Sequence, residues 1–277
     1  MVTLILDVCQ YKAVISRLLE RLMDFFHSVR DLPLKYQIAA VLTCVLLIFF
    51  AIALPLLIKP NATFDEVTED CGPEMSMKSR RVLLYWHNWY RSKTAKGEYK
   101  IANKDSKLKV LPPATRMPQL TYNCSLEKSS LKWAHIAQCK MVHSKTKGIG
   151  ENLYAAGTRM PLEEASNQAT WPWAEELSKF GMLDLTDWRG GQKGHASQML
   201  WDKTQSVGCG TIRCANKNKM VVCHYYPMGN FVNKPIYKAG DMLSDCGKEG
   251  RKEVPFKKTG LWWSRNMETL QKICIQR

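Results

Sequence analysis

A stretch of 21 residues without a charge, residues 38–58, constrains this chain more than any other feature of its 277 residues. As a helix rising about 1.5 Å per residue, it would cover about 30 Å, which is the thickness of the hydrocarbon core of a bilayer. The apolar region of a cleaved signal peptide is shorter, at about 7 to 15 residues. We therefore predict a transmembrane signal anchor over residues 36–58, with cleavage and secretion as the alternative.

The charges on either side of this segment predict its orientation. Basic residues precede it, among them Arg30 and Lys35, and acidic residues such as Asp65 follow it. Because basic flanks stay in the cytosol, we expect a type II topology, with everything beyond a stalk at residues 59–70 extracellular or lumenal. Residues 1–35 show helical apolar spacing, which predicts a cytosolic amphipathic segment at the membrane surface. The alternative is that this segment has no role or that Met23 is the start.

Almost all of the positive charge lies beyond the predicted anchor. The net charge is +15, and residues 59–277 carry +14 of it. An extracellular basic domain disfavours nucleic acid as a partner and favours an acidic glycan, a lipid surface or an extracellular protein. A merely solvated basic surface is the alternative. Two Asn-X-Ser/Thr sequons, at Asn61 and Asn123, predict glycosylation on the same side of the membrane.

The cysteines that follow the anchor number eight, an even count that suits a closed disulfide framework in an oxidising compartment. No two of them have the CxxC spacing of a structural zinc site, so we predict disulfides, with the pairing left open and cysteine-bound zinc as the alternative. The eight are Cys71, Cys124, Cys139, Cys209, Cys214, Cys223, Cys246 and Cys274.

Apolar periodicity predicts a mixed α+β domain. Residues 207–213 and 220–226 alternate like two strands around a polar turn, which indicates a β-hairpin. Pro172 is expected to separate two helices, because proline lacks an amide donor and clashes with the preceding turn. The predicted helices cover residues 77–93, 125–141, 161–169, 173–180, 195–201 and 261–277.

Two histidines lie in glycine-bounded loops, which often present functional side chains: His143 before Gly148-Ile149-Gly150-Glu151-Asn152, and His195 after Gly190-Gly191-Gln192-Lys193-Gly194.

Two segments resemble the two signature motifs of the CAP superfamily, which includes cysteine-rich secretory proteins, antigen 5 and pathogenesis-related proteins. They are Gly194-His195-Ala196-Ser197-Gln198-Met199-Leu200-Trp201 and Val222-Cys223-His224-Tyr225-Tyr226-Pro227. The motif residues taken as a candidate site are Gly194, His195, Gln198, Trp201, Cys223 and Tyr225. Gly208-Cys209-Gly210 is similar to the nematode venom-allergen-like or Ancylostoma-secreted-protein type.

This resemblance implies a three-layer α-β-α sandwich over residues 71–240 with a large cleft, followed by a cysteine-containing extension over residues 241–277. The family's cleft tetrad of two histidines and two acidic residues carries over to His143, Glu151, Glu176 and His195. Such a set suits a divalent cation such as zinc. The alternative is that the two carboxylates only orient the histidines. A family cysteine expected near Leu243 is missing, which implies that Cys246 pairs with Cys274.

No activated nucleophile is evident beside these histidines, since Ser144 and Ser197 are close to them only in sequence. We therefore predict a non-enzymatic binding or immunomodulatory interaction protein that requires no cofactor. A sterol or lipid carrier, with residues 155–161 in a binding loop, is the first alternative. The second is a zinc-dependent hydrolase in which Glu151 or Glu176 is the general base.

Overall fold

A sheet with helices on both faces is the centre of this computed structural model, which describes residues 33, 64, 66–68, 70–188, 192–248 and 253–264. All of these except residue 33 belong to one unit, Thr63–Arg277. The helices are α1 (Met77–Ala95), α2 (Cys124–Ala137), α3 (Leu162–Ala174), α4 (Glu176–Phe180) and α5 (Gly194–Leu200). The strands are β1 (Thr121–Tyr122), β2 (Gly150–Ala156), β3 (Ser206–Arg213), β4 (Lys219–Tyr226), β5 (Glu253–Phe256) and β6 (Leu261–Ser264).

The central sheet has the strand order β1-β3-β4-β2. Strands β3 and β4 form the antiparallel hairpin that the alternating pattern predicts, with Cys209 opposite Cys223. Strand β2 lies at the sheet's edge and is antiparallel to β4, which puts Glu151 opposite His224. Strand β2 is not among the elements that the sequence pattern predicts.

Alternating residues of the sheet contact helices on opposite faces, because successive side chains of a strand point in opposite directions. Gly208 and Gly210 face α2, and a Cβ atom at Gly208 would lie 2.3 Å from the amide nitrogen of Glu127. On the other face, the Thr211 hydroxyl lies 2.8 Å from that of Ser166 in α3. The three-layer α-β-α sandwich is therefore confirmed.

The ends of the helices correct two predictions. Helix α2 starts where predicted, since the Asn123 side chain accepts a hydrogen bond from the amide of Leu126 at 3.0 Å. It ends earlier than predicted, because Gln138 adopts a left-handed backbone conformation. Helix α3 continues through Pro172 to Ala174, so the predicted break at Pro172 is wrong. Buried Trp173 holds the last turn in place by donating a hydrogen bond from its indole to the Leu153 carbonyl at 2.9 Å.

The predicted C-terminal helix is also wrong where the structure describes it. Leu261–Ser264 is strand β6, paired with β5, and Trp262 exchanges backbone hydrogen bonds with Met117 and Gln119 at 3.0 and 2.7 Å. These pairings satisfy the backbone groups of the segment as an extended strand. Residues 265–277 lie outside the described part of the chain.

Six of the eight cysteines form disulfides: Cys71–Cys124, Cys139–Cys214 and Cys209–Cys223. The implied partner of Cys246, Cys274, lies outside the described residues, as do Asn61, residues 1–35 apart from residue 33, and the predicted anchor at 36–58. Among the helices that are described, none has the length and apolar character needed to span a bilayer.

Arg91 binds several of these elements together although it is buried. Its guanidinium donates hydrogen bonds to the carbonyls of Pro118, Met199, Trp201 and Thr204 at 2.8 to 3.2 Å. Burial lowers the pKa of Arg91 to about 9. This side chain joins α1 to the end of α5 and the loop that leads into β3, and so supports the base of the candidate site.

Candidate functional site

Glu151 on the edge strand β2 is the centre of a hydrogen-bonded cluster. One carboxylate oxygen accepts from Nδ1 of His143 at 2.7 Å and from the Ser144 amide at 2.9 Å, and the other accepts from Nε2 of His224 at 2.9 Å. Burial alone would raise the pKa of Glu151, but these donors lower it to about 2. The hydrogen bond to Glu151 in turn raises the pKa of His143.

A serine completes this cluster on the side of helix α2. The hydroxyl of Ser129 lies 2.6 Å from Nδ1 of His224 and donates to the Leu126 carbonyl at 2.9 Å. Because Nε2 of His224 donates to Glu151, Nδ1 of the neutral imidazole is an acceptor, so the Ser129 hydroxyl lies between two acceptors, Nδ1 and the Leu126 carbonyl. The Ser129–His224–Glu151 arrangement has the order of a catalytic triad, although His224 is fully buried.

A second histidine–carboxylate pair lies at the start of α5. Glu176 accepts from Nδ1 of His195 at 2.5 Å and from the backbone amides of His195 and Ala196 at 2.9 and 3.0 Å. The Trp173 ring stacks on the imidazole, with 6.0 Å between centroids and an interplanar angle of 21°. The structure thus places Glu176, and not Glu175, against His195, and the ring orientation is held from two sides.

The two pairs are connected through consecutive residues of β2. Glu151 binds His143, and its neighbour Asn152 donates a side-chain hydrogen bond to the His195 carbonyl at 3.1 Å. The side chains of His143 and His195 are 60% and 30% exposed. Among the described residues, no hydrogen bond engages Nε2 of either ring. Both imidazoles therefore offer a free nitrogen beside the same strand.

The site offers few protein ligands for a metal cation. Within the described ranges, no group of three or more histidine, cysteine, aspartate or glutamate side chains gathers as a metal site. His143 and His195 are the two available ligands, and their carboxylate partners match the outer shell that usually orients metal-binding histidines. The remaining ligands of a cation would have to be water or a bound partner.

The other signature-motif residues have structural contacts. Gln198 donates to the Thr204 hydroxyl at 3.2 Å and accepts from the Gly229 amide at 2.9 Å. Cys223 is in a disulfide, and Trp201 is buried against Trp188. These contacts position the loops that surround His195. Gly194 adds backbone acceptors, since its carbonyl accepts from Ser197 and Asn230.

His87, a fully buried histidine of helix α1, has no part in the cleft. Its Nδ1 lies 2.7 Å from the Leu83 carbonyl, which can only accept, so Nδ1 is the donor and Nε2 accepts from the Tyr225 hydroxyl at 2.7 Å. Burial lowers the pKa of His87 to about 4, which keeps the imidazole neutral.

Sequence reasoning missed His224 and Ser129 as members of the cluster. His224 lies in the second signature segment, but no local sequence pattern predicts the register in which β2 pairs with β4. It is this register that places Glu151 opposite His224. Asn123 caps α2 through its side-chain oxygen, and its glycosylation stays a prediction.

A disulfide-linked α-β-α sandwich with two histidine–carboxylate pairs beside one edge strand has the architecture of a CAP domain. A family model described as the cysteine-rich secretory protein family, CAP, matches residues 84–225, and the chain belongs to this family. The Ancylostoma secreted protein of Ancylostoma caninum is 32% identical over 194 residues, covering 65% of this chain and 44% of that protein. Venom allergen 5 of Polistes dominula is 30% identical, covering 62% of this chain and 76% of that protein.

Solved structures agree with this assignment. Na-ASP-1 has a TM-score of 0.62 and 28% identity, and the match covers 74% of this chain and 51% of that one. NaASP2, crystallised with Zn²⁺, has a TM-score of 0.59 and 32% identity, with 68% of this chain and 96% of that chain covered. The matched part of this chain thus corresponds to nearly the whole of the NaASP2 chain. The match spans less than half of the Ancylostoma relative. The family is described as secretory, and the Polistes relative is named a venom allergen.

Proposed function

We propose that this chain is an extracellular binding protein, tethered by the segment at residues 36–58, whose cleft presents a divalent cation on His143 and His195. One observation carries the proposal: in both residues a carboxylate holds Nδ1, and Nε2 has no hydrogen-bond partner among the described residues. The cation would mediate recognition of an extracellular partner, which includes an immunomodulatory role. No turnover is involved.

Carboxylates in these positions favour metal binding for a physical reason. An imidazole that donates Nδ1–H to a carboxylate has a fixed tautomer, so its Nε2 lone pair is ready to bind a cation, and its basicity is raised. Zinc is commonly held by three or four ligands, and a site with two protein ligands keeps open positions for water or for a partner's side chain. The related NaASP2 was crystallised with Zn²⁺, which supports zinc as the cation to test.

The engaged state of both carboxylates argues against the hydrolase alternative. A general base at neutral pH should have a pKa near the working pH, whereas that of Glu151 is about 2. Glu176 already accepts three hydrogen bonds. Ser197 is buried, and its hydroxyl contacts the Gly194 carbonyl and the Asn230 amide oxygen, at 3.0 and 2.7 Å. Neither carboxylate is therefore poised as a general base, and the hydrogen bonds of the Ser197 hydroxyl go to no histidine among the described residues.

Calorimetric titration of zinc into the oxidised domain, residues 63–277, tests the proposal. We expect saturable binding that is lost in the His143→Ala, His195→Ala double variant. His135→Ala is the matched control, because this exposed histidine of α2 lies outside the site. Equal zinc binding by all three proteins would make the two pairs purely structural and would refute the cation site.

A groove between α1 and α3 favours the lipid carrier as a second candidate. It has a volume of about 560 Å³ and is lined mainly by aromatic side chains, including Trp86, Tyr154 and Trp171. Its walls do not include residues 155–161, so the loop predicted for lipid binding is not part of it. Saturable binding of a fatty acid or cholesterol that Trp171→Ala weakens would support this candidate, and binding unchanged by that variant would remove the groove from consideration.

A further inference from the structure

One surface of the domain is both strongly basic and partly apolar. Its basic side chains are all exposed, and within the described part of the chain none of them forms an ion pair. We call this surface the basic face; its members are Lys128, Lys132, Lys140, Lys145, Lys147, Arg213 and Lys217. Its role does not depend on whether the cleft holds a cation.

The basic face is free of acidic residues over long segments. No aspartate or glutamate occurs in residues 128–150 or in residues 203–240. The two acids that precede and follow the first segment are turned to other partners, since Glu127 binds Arg80 and Glu151 binds His143 and His224. The positive charge of this face is therefore not compensated locally.

Covalent and hydrogen-bonded links hold the two segments side by side. The Cys139–Cys214 disulfide joins the end of α2 to the tip of the β3–β4 hairpin, and the Ala215 amide donates to the Gln138 side chain at 2.9 Å. The lysines of α2 at positions 128 and 132 are one turn apart and lie on one helix face. The end of α2 and the tip of the hairpin, with the basic residues they carry, are thus held next to each other.

Three large apolar side chains project from the same surface. Ile136 is 61% exposed, Met141 50% and Val142 53%. The indole of Trp133 donates to the Val142 carbonyl at 3.1 Å, which holds the loop with Met141 against the end of α2. Exposed apolar side chains grouped in this way mark an interaction surface.

We propose that the basic face docks on an anionic lipid surface. Lysines near such a surface are attracted to its headgroups within a Debye length, and apolar side chains between them gain by burial at the headgroup level. A sulfated glycan would match the lysines but would bury none of the three apolar side chains. The combination of charge and apolar exposure therefore favours a lipid surface.

Sedimentation with vesicles tests this proposal on the oxidised domain, residues 63–277. We expect binding to phosphatidylcholine vesicles that contain phosphatidylserine, little binding to phosphatidylcholine alone, and weaker binding as salt rises. Lys140→Gln with Lys145→Gln should weaken binding about thirty-fold, from the usual attraction per lysine. Met141→Ser with Val142→Ser should also weaken it, although the charge is unchanged.

Matched variants elsewhere serve as controls. Lys104→Gln with Lys107→Gln makes the same change of charge in another exposed loop, and Leu162→Ser removes an exposed apolar side chain that precedes two glutamates. Both should bind as the wild type does. Equal weakening by the control lysine variant would overturn the proposal in favour of diffuse charge attraction. The proposal would also be overturned, in favour of a glycan site, by a pair of results. In that case the Met141, Val142 variant binds vesicles as the wild type does, and the Lys140, Lys145 variant loses heparin binding.

Discussion

A buried ion pair between α1 and α2 provides a sharp test of how this domain is held together. Arg80 donates two parallel hydrogen bonds to Glu127, each 2.8 Å long, and both side chains are 2% exposed. The Tyr122 hydroxyl donates to the same carboxylate at 2.7 Å, and Arg80 also donates to the Gly72 carbonyl at 2.6 Å. The charges are thus paired and hydrogen-bonded in a buried site.

Removing one partner should cost far more than removing both. Arg80→Met leaves Glu127 without its counter-ion, and Glu127→Gln leaves Arg80 only the exposed Asp70, whose carboxylate lies 3.6 Å away. For either variant we expect a loss of about 3 to 5 kcal/mol in the free energy of unfolding. The double variant Arg80→Met, Glu127→Leu removes both charges, and the Tyr122 hydroxyl keeps the Cys209 carbonyl as acceptor at 3.1 Å. Its cost should be smaller than that of either single variant, which gives a coupling energy of at least about 3 kcal/mol.

Urea unfolding of the oxidised domain, followed by tryptophan fluorescence, measures these free energies if the m-value stays constant. The exposed pair Lys78–Glu163, at 2.9 Å, is the control, and the same cycle there should show no measurable coupling. The reasoning would be refuted if the losses in the free energy of unfolding of the two single variants simply add in the double variant. The Glu127 carboxylate would then not be the partner that neutralises the buried Arg80 guanidinium.

Three other expectations concern packing, titration and cross-linking. Gly208→Ala should destabilise the domain by about 1 to 3 kcal/mol in urea, because its Cβ would meet the α2 backbone at 2.3 Å, whereas Gly157→Ala, with open space around it, should not. His87 has a pKa lowered from 6.5 to about 4, so the neutral imidazole is favoured in the folded state. Its contribution to the free energy of unfolding is present above pH 6.5 and is lost as the pH falls to about 4. Wild type should lose about 3 kcal/mol more than His87→Gln over that range, and parallel pH profiles would contradict this. Replacing Cys139 and Cys214 by serine opens a loop with a sequence separation of 75 residues and should cost about 4 kcal/mol, measured as a shift of the urea midpoint.

Part of the candidate site could be read from the sequence. The family resemblance identified both histidines and both carboxylates, and the structure places Glu151 on His143 and Glu176 on His195. His224 and Ser129 could not be assigned in this way, because their roles depend on strand register and on how α2 packs over the sheet. The cluster at Glu151 therefore has one more histidine than the motif alone indicates.

Local patterns account for most elements that the sequence by itself determined. Helices α1, α2 and α5 and the β3–β4 hairpin follow from apolar periodicity, caps and turn residues, which act over a few positions in the chain. The same is true of the disulfide-rich character, which follows from an even cysteine count, and of the basic charge. These properties do not require knowledge of distant contacts.

Only the tertiary structure decided which distant segments meet. Contacts between remote residues chose the disulfide partners, the pairing of β2 with β4, and the strand conformation of Leu261–Ser264 in place of a helix. They also carried α3 past Pro172, because the burial of Trp173 outweighs one lost backbone hydrogen bond. Local preferences are worth only fractions of a kilocalorie per residue, so packing and backbone pairing between remote segments override them wherever the two disagree.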